Sequence, residues 1–221
     1  MHSHRRRSAL TVSAAAAIVV AVPLLSACGN DAHPGAAAVV KGDRISVAEL
    51  QSRVGAVRDA QRAAPQSEQM IKSSGQLTRA TLDGMIRDLI VSKAAEESSV
   101  SVSRREVQEM RGALARQAGG EKQMKAMLLQ QQAIAPGEIN DRIRMQLAVE
   151  KIAKAEGIDP QSPQGSAQLN ERFAKTSKTM AVDVNPRFGK WDTKKATLAN
   201  AEDPWLRDLS GKQAEQAQQQ M

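Results

Sequence analysis

The chain is poor in cysteine, histidine and aromatic residues, and each shortage excludes a class of protein. Of 221 residues, one is cysteine, three are histidine and none is tyrosine. A lone thiol forms no internal disulfide, so ordinary packing must stabilise the fold. The same shortage leaves no His/Cys cluster of the kind that holds zinc. We therefore expect neither a disulfide scaffold nor a metal site.

The four aromatic residues all lie late in the chain, as Phe173, Phe188, Trp191 and Trp205. The long stretch before them must build its core from Leu, Ile, Val, Met and Ala. Aliphatic side chains at a spacing of 3.6 residues can pack in this way between helices, whereas strand-rich domains use more aromatic residues. This composition predicts a mainly α fold.

Cys28 ends a segment with the pattern of an export signal. Arg5, Arg6 and Arg7 precede an apolar run over residues 14–25, which is too short to span about 30 Å of hydrocarbon. The tetrapeptide Leu25-Ser26-Ala27-Cys28 resembles the lipobox of bacterial lipoproteins. That resemblance implies lipidation of the Cys28 thiol, with palmitate among the chains, and anchoring on the extracytoplasmic face of the cell membrane. The alternative is an ordinary secretory signal with a chance cysteine.

The charge balance gives little support for a nucleic-acid partner. Loss of the three signal arginines lowers the formal net charge from +7 to +4, spread along the chain. No phosphate-binding loop is present either, because Gly119-Gly120 precedes no Lys-Ser/Thr pair. We expect no nucleic acid, no nucleotide and no other cofactor.

Composition divides the chain into four segments. They are a signal peptide (1–27), a flexible tether (28–37), one helical domain (38–192) and a C-terminal tail (193–221) that is Gln-rich and disordered after about residue 210.

Within the domain, residues 38–45 predict a β-hairpin, and Ser46 with Glu49 and Ser103 with Glu106 form sequence patterns of capping boxes. Apolar periodicity predicts helices after Ser46 and over about 77–97, 103–117, 136–156 and 166–180, with a short one around Met124. Residues 62–76 are predicted to be a flexible connection, 157–165 a loop and 181–192 an extended closing strand.

Three stretches in this order resemble the N-terminal domain of SurA- and PrsA-type extracytoplasmic chaperones. Residues 38–50 give a strand pair and a capped helix. Residues 102–152 give a Gly-Gly-Glu link, a Met-rich short helix and Pro-Gly-Glu-Ile before a long helix, and residues 182–192 give a closing strand. The resemblance implies a helical domain that holds unfolded clients and is completed by a C-terminal segment. Parvulin isomerase domains are commonly inserted between the two, but residues 157–165 are too few to hold one.

Catalytic chemistry is not expected. A parvulin-like site contains a cluster of histidines with a cysteine or aspartate. The mature chain has only one histidine, His33 in the tether, and its one cysteine, Cys28, is expected to carry the lipid. Nucleophilic triads lack their residues for the same reason. The carboxylate pairs Glu96/Glu97 and Asp83/Asp88 are predicted to face water.

Two sets of residues are singled out for binding and closure. Methionine adapts to many apolar partners, so a Met-lined groove suits varied clients. The alternative, which is favoured for any single methionine, is that the methionines fill a core that lacks aromatic residues. Met124 and Met127 are the best candidates for exposure. Phe188 and Trp191 are predicted to be buried when residues 181–192 pair with the hairpin, and the role of Trp205 stays open. The candidate client-binding residues are Met85, Met110, Met124, Met127 and Met145.

The sequence thus leaves two main functions open, besides a third in which the protein is an inactive companion of a separate isomerase. The first is a membrane-anchored, non-catalytic chaperone or holdase for unfolded or exported polypeptides. The second is a structural or scaffold lipoprotein that binds a single envelope partner.

Overall fold

The computed structural model of the protein describes residues 34–65, 67–73 and 75–199. Helices predominate in this part of the chain, which confirms the mainly α fold, and the strands are short. In chain order the elements are β1 (Ala36–Val40), β2 (Asp43–Ser46), α1 (Val47–Arg62), α2 (Ser67–Ser73), α3 (Leu77–Glu97), α4 (Arg104–Gln117), α5 (Glu121–Gln132), a 3₁₀ turn (Pro136–Glu138), α6 (Ile139–Ala155), α7 (Pro163–Thr179), β3 (Asp183–Val184), a second 3₁₀ turn (Pro186–Phe188), β4 (Lys190–Asp192) and β5 (Thr197–Ala199). The signal peptide, Cys28, His33 and Trp205 lie outside the described residues.

A small antiparallel sheet joins the two ends of the described chain. β1 and β2 form the predicted hairpin through Lys41 and Gly42, whose φ angles of 51° and 89° suit a two-residue turn. β3 pairs with the other side of β1, with Ala38 opposite Val184, and the strand order is β2-β1-β3. Strands separated by more than 140 residues of sequence are therefore hydrogen-bonded neighbours.

Serine side chains begin three of the helices. Ser46 accepts a hydrogen bond from the backbone N–H of Glu49 at 3.0 Å, and Ser103 forms a complete capping box with Glu106. Ser162 caps α7, with Pro163 in the first helical position. α7 thus begins inside the predicted loop at 157–165, because Pro163 starts a helix rather than prolonging the loop.

Residues 62–76 are not simply a flexible connection, and that prediction is wrong for most of the segment. α1 continues to Arg62, and α2 occupies Ser67–Ser73. Met70 is buried in a small cluster with Val57, Leu77 and Leu129. Two adjacent apolar residues, Met70 and Ile71, among polar ones give no helical periodicity from which to predict this helix.

The predicted boundary of the tether also changes. β1 begins at Ala36, inside the range 28–37, and Ala36 and Ala37 are buried. Their small side chains lie in the sheet that packs on α3. Alanine and glycine were interpreted as tether residues, but here they allow a close approach of strand and helix.

α3 is the centre of the main core. It packs against α1, α6, α7, β1 and β5, and its inward-facing residues Leu82, Ile86, Ile90 and Ala94 are almost completely buried. A second cluster joins α4, α5 and α6 around Val107. Among the described residues, no helix is both long and apolar enough to cross a membrane.

Phe188 and Trp191 are both buried in the main core. The Trp191 Nε1–H donates a hydrogen bond of 2.6 Å to the Ser177 hydroxyl on α7. Arg172, also on α7, bridges Glu97 of α3 at 3.1 Å and Glu156 at 2.8 Å. The closing segment and α7 are thus held to α3 by buried rings and by charges.

The closing segment is more broken than the single strand predicted at 181–192. Asp183–Val184 pairs with β1, a 3₁₀ turn at Pro186 interrupts the strand, and β4 pairs instead with β5. β5 extends the described part of the domain beyond residue 192 to Ala199. Asn185-Pro186 explains the break, since proline has no N–H to donate to a partner strand.

Trp191→Ala should lower the free energy of unfolding by about 3–5 kcal/mol, because it removes a large buried ring. Trp191→Phe is the matched control. It keeps a ring but loses the bond to Ser177, so we expect a loss of about 1–2 kcal/mol. Urea unfolding measures both, and a loss below about 1 kcal/mol for the alanine variant would contradict the closure described above.

Candidate functional site

An open cleft of about 670 Å³ runs along one side of α3. Its walls come from α1, α3, the segment between α5 and α6, α6 itself, and the loop before α7; we call it the central cleft. The apolar residues that line it most directly are Val57, Leu77, Met85, Val91, Met145 and Val149. Because they come from three helices, only the assembled fold forms this surface.

Small residues of α3 keep the floor of the cleft low. Ala80 and Gly84 both line it and lie one helical turn apart. A Cβ atom added at Gly84 would meet no other atom within 4 Å, so the space above it is open. α3 therefore leaves space in the floor at Ala80 and Gly84, with Met85 and Val91 further along the helix.

Charged residues also line the cleft, and several are already paired. Arg53 contacts Glu138 at 3.3 Å and so joins α1 to the 3₁₀ turn before α6. The Asp83 carboxylate accepts hydrogen bonds from the Leu198 N–H at 2.6 Å and the Thr197 hydroxyl at 3.0 Å. Asp83 was predicted to face water, and instead it holds β5 against α3.

Arg87 and Arg142 line the cleft as Arg53 does, but neither of them forms a salt bridge with any residue in the described part of the chain. Their two positive charges are therefore available to a ligand in a cleft that apolar and polar residues line together, although the charge of Arg142 also acts on Asp88.

Asp88 is the most perturbed acid of the cleft. Burial raises its pKa to about 6, although the positive charges of Arg142 and Arg53 oppose the increase. Asp88 was predicted to face water, but it lies on the same face of α3 as Gly84 and Val91. The spacing of three and four residues within α3 was the signal that could have revealed it.

The structure brings two of the five candidate methionines to the cleft. Met85 on α3 and Met145 on α6 both line it; Met85 is largely buried and Met145 half-buried. Met110 and Met127 are half-buried elsewhere.

The prediction that Met124 is exposed is wrong, because its side chain is 0 % exposed. Gly119 and Gly120 turn the chain so that α5 folds back on α4, which places Met124 in the cluster with Val107, Ile139 and Ile143. A short helix was interpreted as the edge of a groove, but its Met124 face is fully enclosed.

Within the residues that the structure describes, no three His, Cys, Asp or Glu side chains are arranged to hold a metal ion. The cleft thus combines an apolar wall with Arg87 and Arg142, which form no salt bridge with described residues, and with Asp88, whose pKa burial raises to about 6.

Comparison with known proteins gives one family. The model of the SurA-like N-terminal domain matches residues 1–153, about two-thirds of the chain. The chain therefore belongs to the SurA-like N-terminal domain family, which confirms the resemblance and indicates a chaperone-like family. Neither a curated protein nor a solved structure gave a match. α7 and the closing strands lie after the matched residues.

Asp88 should make the stability of the fold depend on pH. Its pKa is about 6 in the folded chain against an ordinary value of 3.8, so the folded state binds this proton more tightly than the unfolded state. Its contribution to stability therefore falls as the pH rises from about 4 to about 6. Asp88→Asn should be similar to wild type at pH 4 and more stable at pH 7, by on the order of 1–2 kcal/mol after solvent screening.

Urea midpoints across this pH range measure the effect, with Glu150→Gln as the control, since Glu150 lines the same cleft but is exposed. An equal stability difference at pH 4 and pH 7 for the Asp88 variant would contradict the burial described here.

Proposed function

We propose that the protein is a non-catalytic chaperone that holds unfolded or exported polypeptides in the central cleft while anchored to the extracytoplasmic face of the membrane. The observation that carries this proposal is an open, partly apolar cleft in a member of the SurA-like N-terminal domain family. Reversible burial of client side chains requires no nucleotide and no covalent step.

The size and lining of the cleft suit short apolar segments. The cleft volume of about 670 Å³ lies within the range of about 300–1,000 Å³ that is typical of ligand-binding pockets. Met85 and Met145 supply flexible, polarizable contacts that can adapt to different sequences. The charged residues beside them keep the empty cleft hydrated, which supports release as well as capture.

The proposed anchoring is supported by the sequence alone, because Cys28 lies outside the described residues. The basic start, the short apolar run and the Leu-Ser-Ala-Cys tetrapeptide support lipidation of Cys28. β1 begins at Ala36, so only a short segment separates the lipid from the folded domain. In this arrangement the domain works close to the membrane surface, where exported chains emerge.

Met145→Gln should weaken the binding of an unfolded export client about tenfold. The change keeps the length of the side chain but removes apolar contact worth on the order of 1–2 kcal/mol. Met127→Gln is the matched control, because Met127 is also half-buried in a helix but lies away from the cleft.

Fluorescence anisotropy of a labelled, unfolded polypeptide measures both affinities, and thermal melts establish that both variants fold. Equal losses in the two variants would reject the cleft as the binding site, and no binding by the wild-type chain at several-fold excess would reject the holdase function.

Cys28→Ala should abolish lipidation. Cells fed an alkyne analogue of palmitate should label the wild-type chain and leave the variant unlabelled and released from the membrane fraction. Ser26→Ala, which keeps a small residue beside the cysteine, is the control and should remain labelled. Equal labelling of Cys28→Ala and wild type would contradict the anchor.

A scaffold lipoprotein with one envelope partner is the second candidate. The defined charges of Arg87, Asp88 and Arg142 in the cleft favour it, since fixed charges select a particular sequence. Crosslinking in cells discriminates the two: many unrelated clients support the chaperone, and one stoichiometric partner supports the scaffold.

A further inference from the structure

The last described strand ends at the rim of the central cleft. Asp83, a cleft residue, binds the Leu198 N–H, and the Arg79 guanidinium one turn away donates to the Leu198 carbonyl at 3.4 Å. β5 thus lies along the edge of α3 that borders the cleft, and the chain leaves this edge at Ala199.

The sequence that follows contains one apolar segment. Residues 201–209 read Ala-Glu-Asp-Pro-Trp-Leu-Arg-Asp-Leu, and residues 211–220 contain no large apolar side chain. Trp205, Leu206 and Leu209 recur at spacings that place them on one face of a helical turn. Asp203-Pro204 is a sequence typical of the start of a helix. These residues lie outside the described part of the chain.

We propose that residues 203–209 bind in the central cleft of their own chain, with Trp205 against the wall formed by Met85 and Met145, and so compete with clients. Binding of residues 203–209 requires only the cleft and this segment. Competition with clients rests on the proposed function, so binding and competition are tested separately below.

The distances allow this binding. Six residues from Ala199 to Trp205 reach at most about 20 Å. The α3 residues that line the cleft run from Leu77 to Val91, and Val91, the one farthest from Asp83, lies about 12 Å from it along the helix at 1.5 Å per residue. Trp205 can therefore reach any part of the cleft along α3. The connection is short, so the entropy lost in closing it is small.

The apolar parts of the two surfaces match. Burial of an indole ring and two leucines against the apolar wall supplies the main attraction. Glu202, Asp203 and Asp208 with Arg207 give residues 201–209 a net charge of −2. Arg87 and Arg142, which form no salt bridge with other described residues, can pair with these carboxylates, although four acids, Asp83, Asp88, Glu138 and Glu150, line the cleft as well.

Binding of the tail would set a threshold for clients. A cleft that is free only about one-tenth of the time binds a client about tenfold more weakly than a free cleft. Strongly apolar segments would displace the tail, whereas folded or polar chains would not. Near a membrane crowded with exported proteins, this threshold would limit unproductive binding.

Photo-crosslinking tests the docking directly. Trp205→p-benzoylphenylalanine in the full chain should, on irradiation, give crosslinks to the peptides that contain Met85 or Met145, since benzophenone inserts readily beside methionine sulfur. Ala217→p-benzoylphenylalanine is the control and should not give them. Absence of cleft crosslinks from position 205 would overturn the proposal, as would crosslinks formed only between two isotopically distinguished copies.

Client affinity tests the competition. The full chain with Trp205→Ser, Leu206→Ser and Leu209→Ser should bind an unfolded polypeptide about tenfold more tightly than wild type. Gln213→Ser, Gln216→Ser and Gln219→Ser together are the matched control and should leave the affinity unchanged. If the triple serine variant and wild type bound the client equally tightly, residues 203–209 would not compete with clients. If neither chain bound the client, the holdase function would be refuted instead. The crosslinks would then be the test of whether residues 203–209 bind in the cleft.

Discussion

The rest of the structure depends on the burial of helix α3. A chain with so few aromatic residues must bury one aliphatic helix on several sides to obtain a core, and α3 packs against three helices and two strands. Three of the four aromatic rings, Phe173, Phe188 and Trp191, come from the later part of the chain and belong to the same core. Hydrogen bonds from β3 to β1 and the bridge from Arg172 to Glu97 fix this arrangement.

The same constraint produces the cleft. α3 is covered by three helices and two strands, and the side between α1 and α6 remains open. Ala80 and Gly84 leave space in the floor of this side, while Met85 and Met145 also line it. Burial of the Asp88 carboxylate in the cleft lowers the stability of the fold, and the raised pKa of Asp88 reflects this cost. An open surface that lowers stability is typical of a site that a ligand covers.

Sequence patterns predicted what depends on local periodicity and caps. The bounds of α3, the hairpin and the capping box at Ser103 agree with the structure because each is determined within one or two turns. α2, the burial of Met124 and the pairing of β4 with β5 were missed, since each depends on tertiary partners distant in sequence. Of the site, the sequence identified Met85 and Met145 by residue type. The sequence did not predict that Asp88, Arg87 and Arg142 line the cleft. The face of a helix that becomes covered depends on how the helices assemble.

The central claim is that clients bind in the cleft beside α3 and α6. Methyl resonances of methionine, recorded by NMR on the full chain with labelled methionine, report directly on each candidate position. Addition of an unfolded export polypeptide should shift the signals of Met85 and Met145 and leave those of Met110 and Met127 unchanged. Shifts confined to Met110 and Met127, or no shifts at saturating client, would contradict the account.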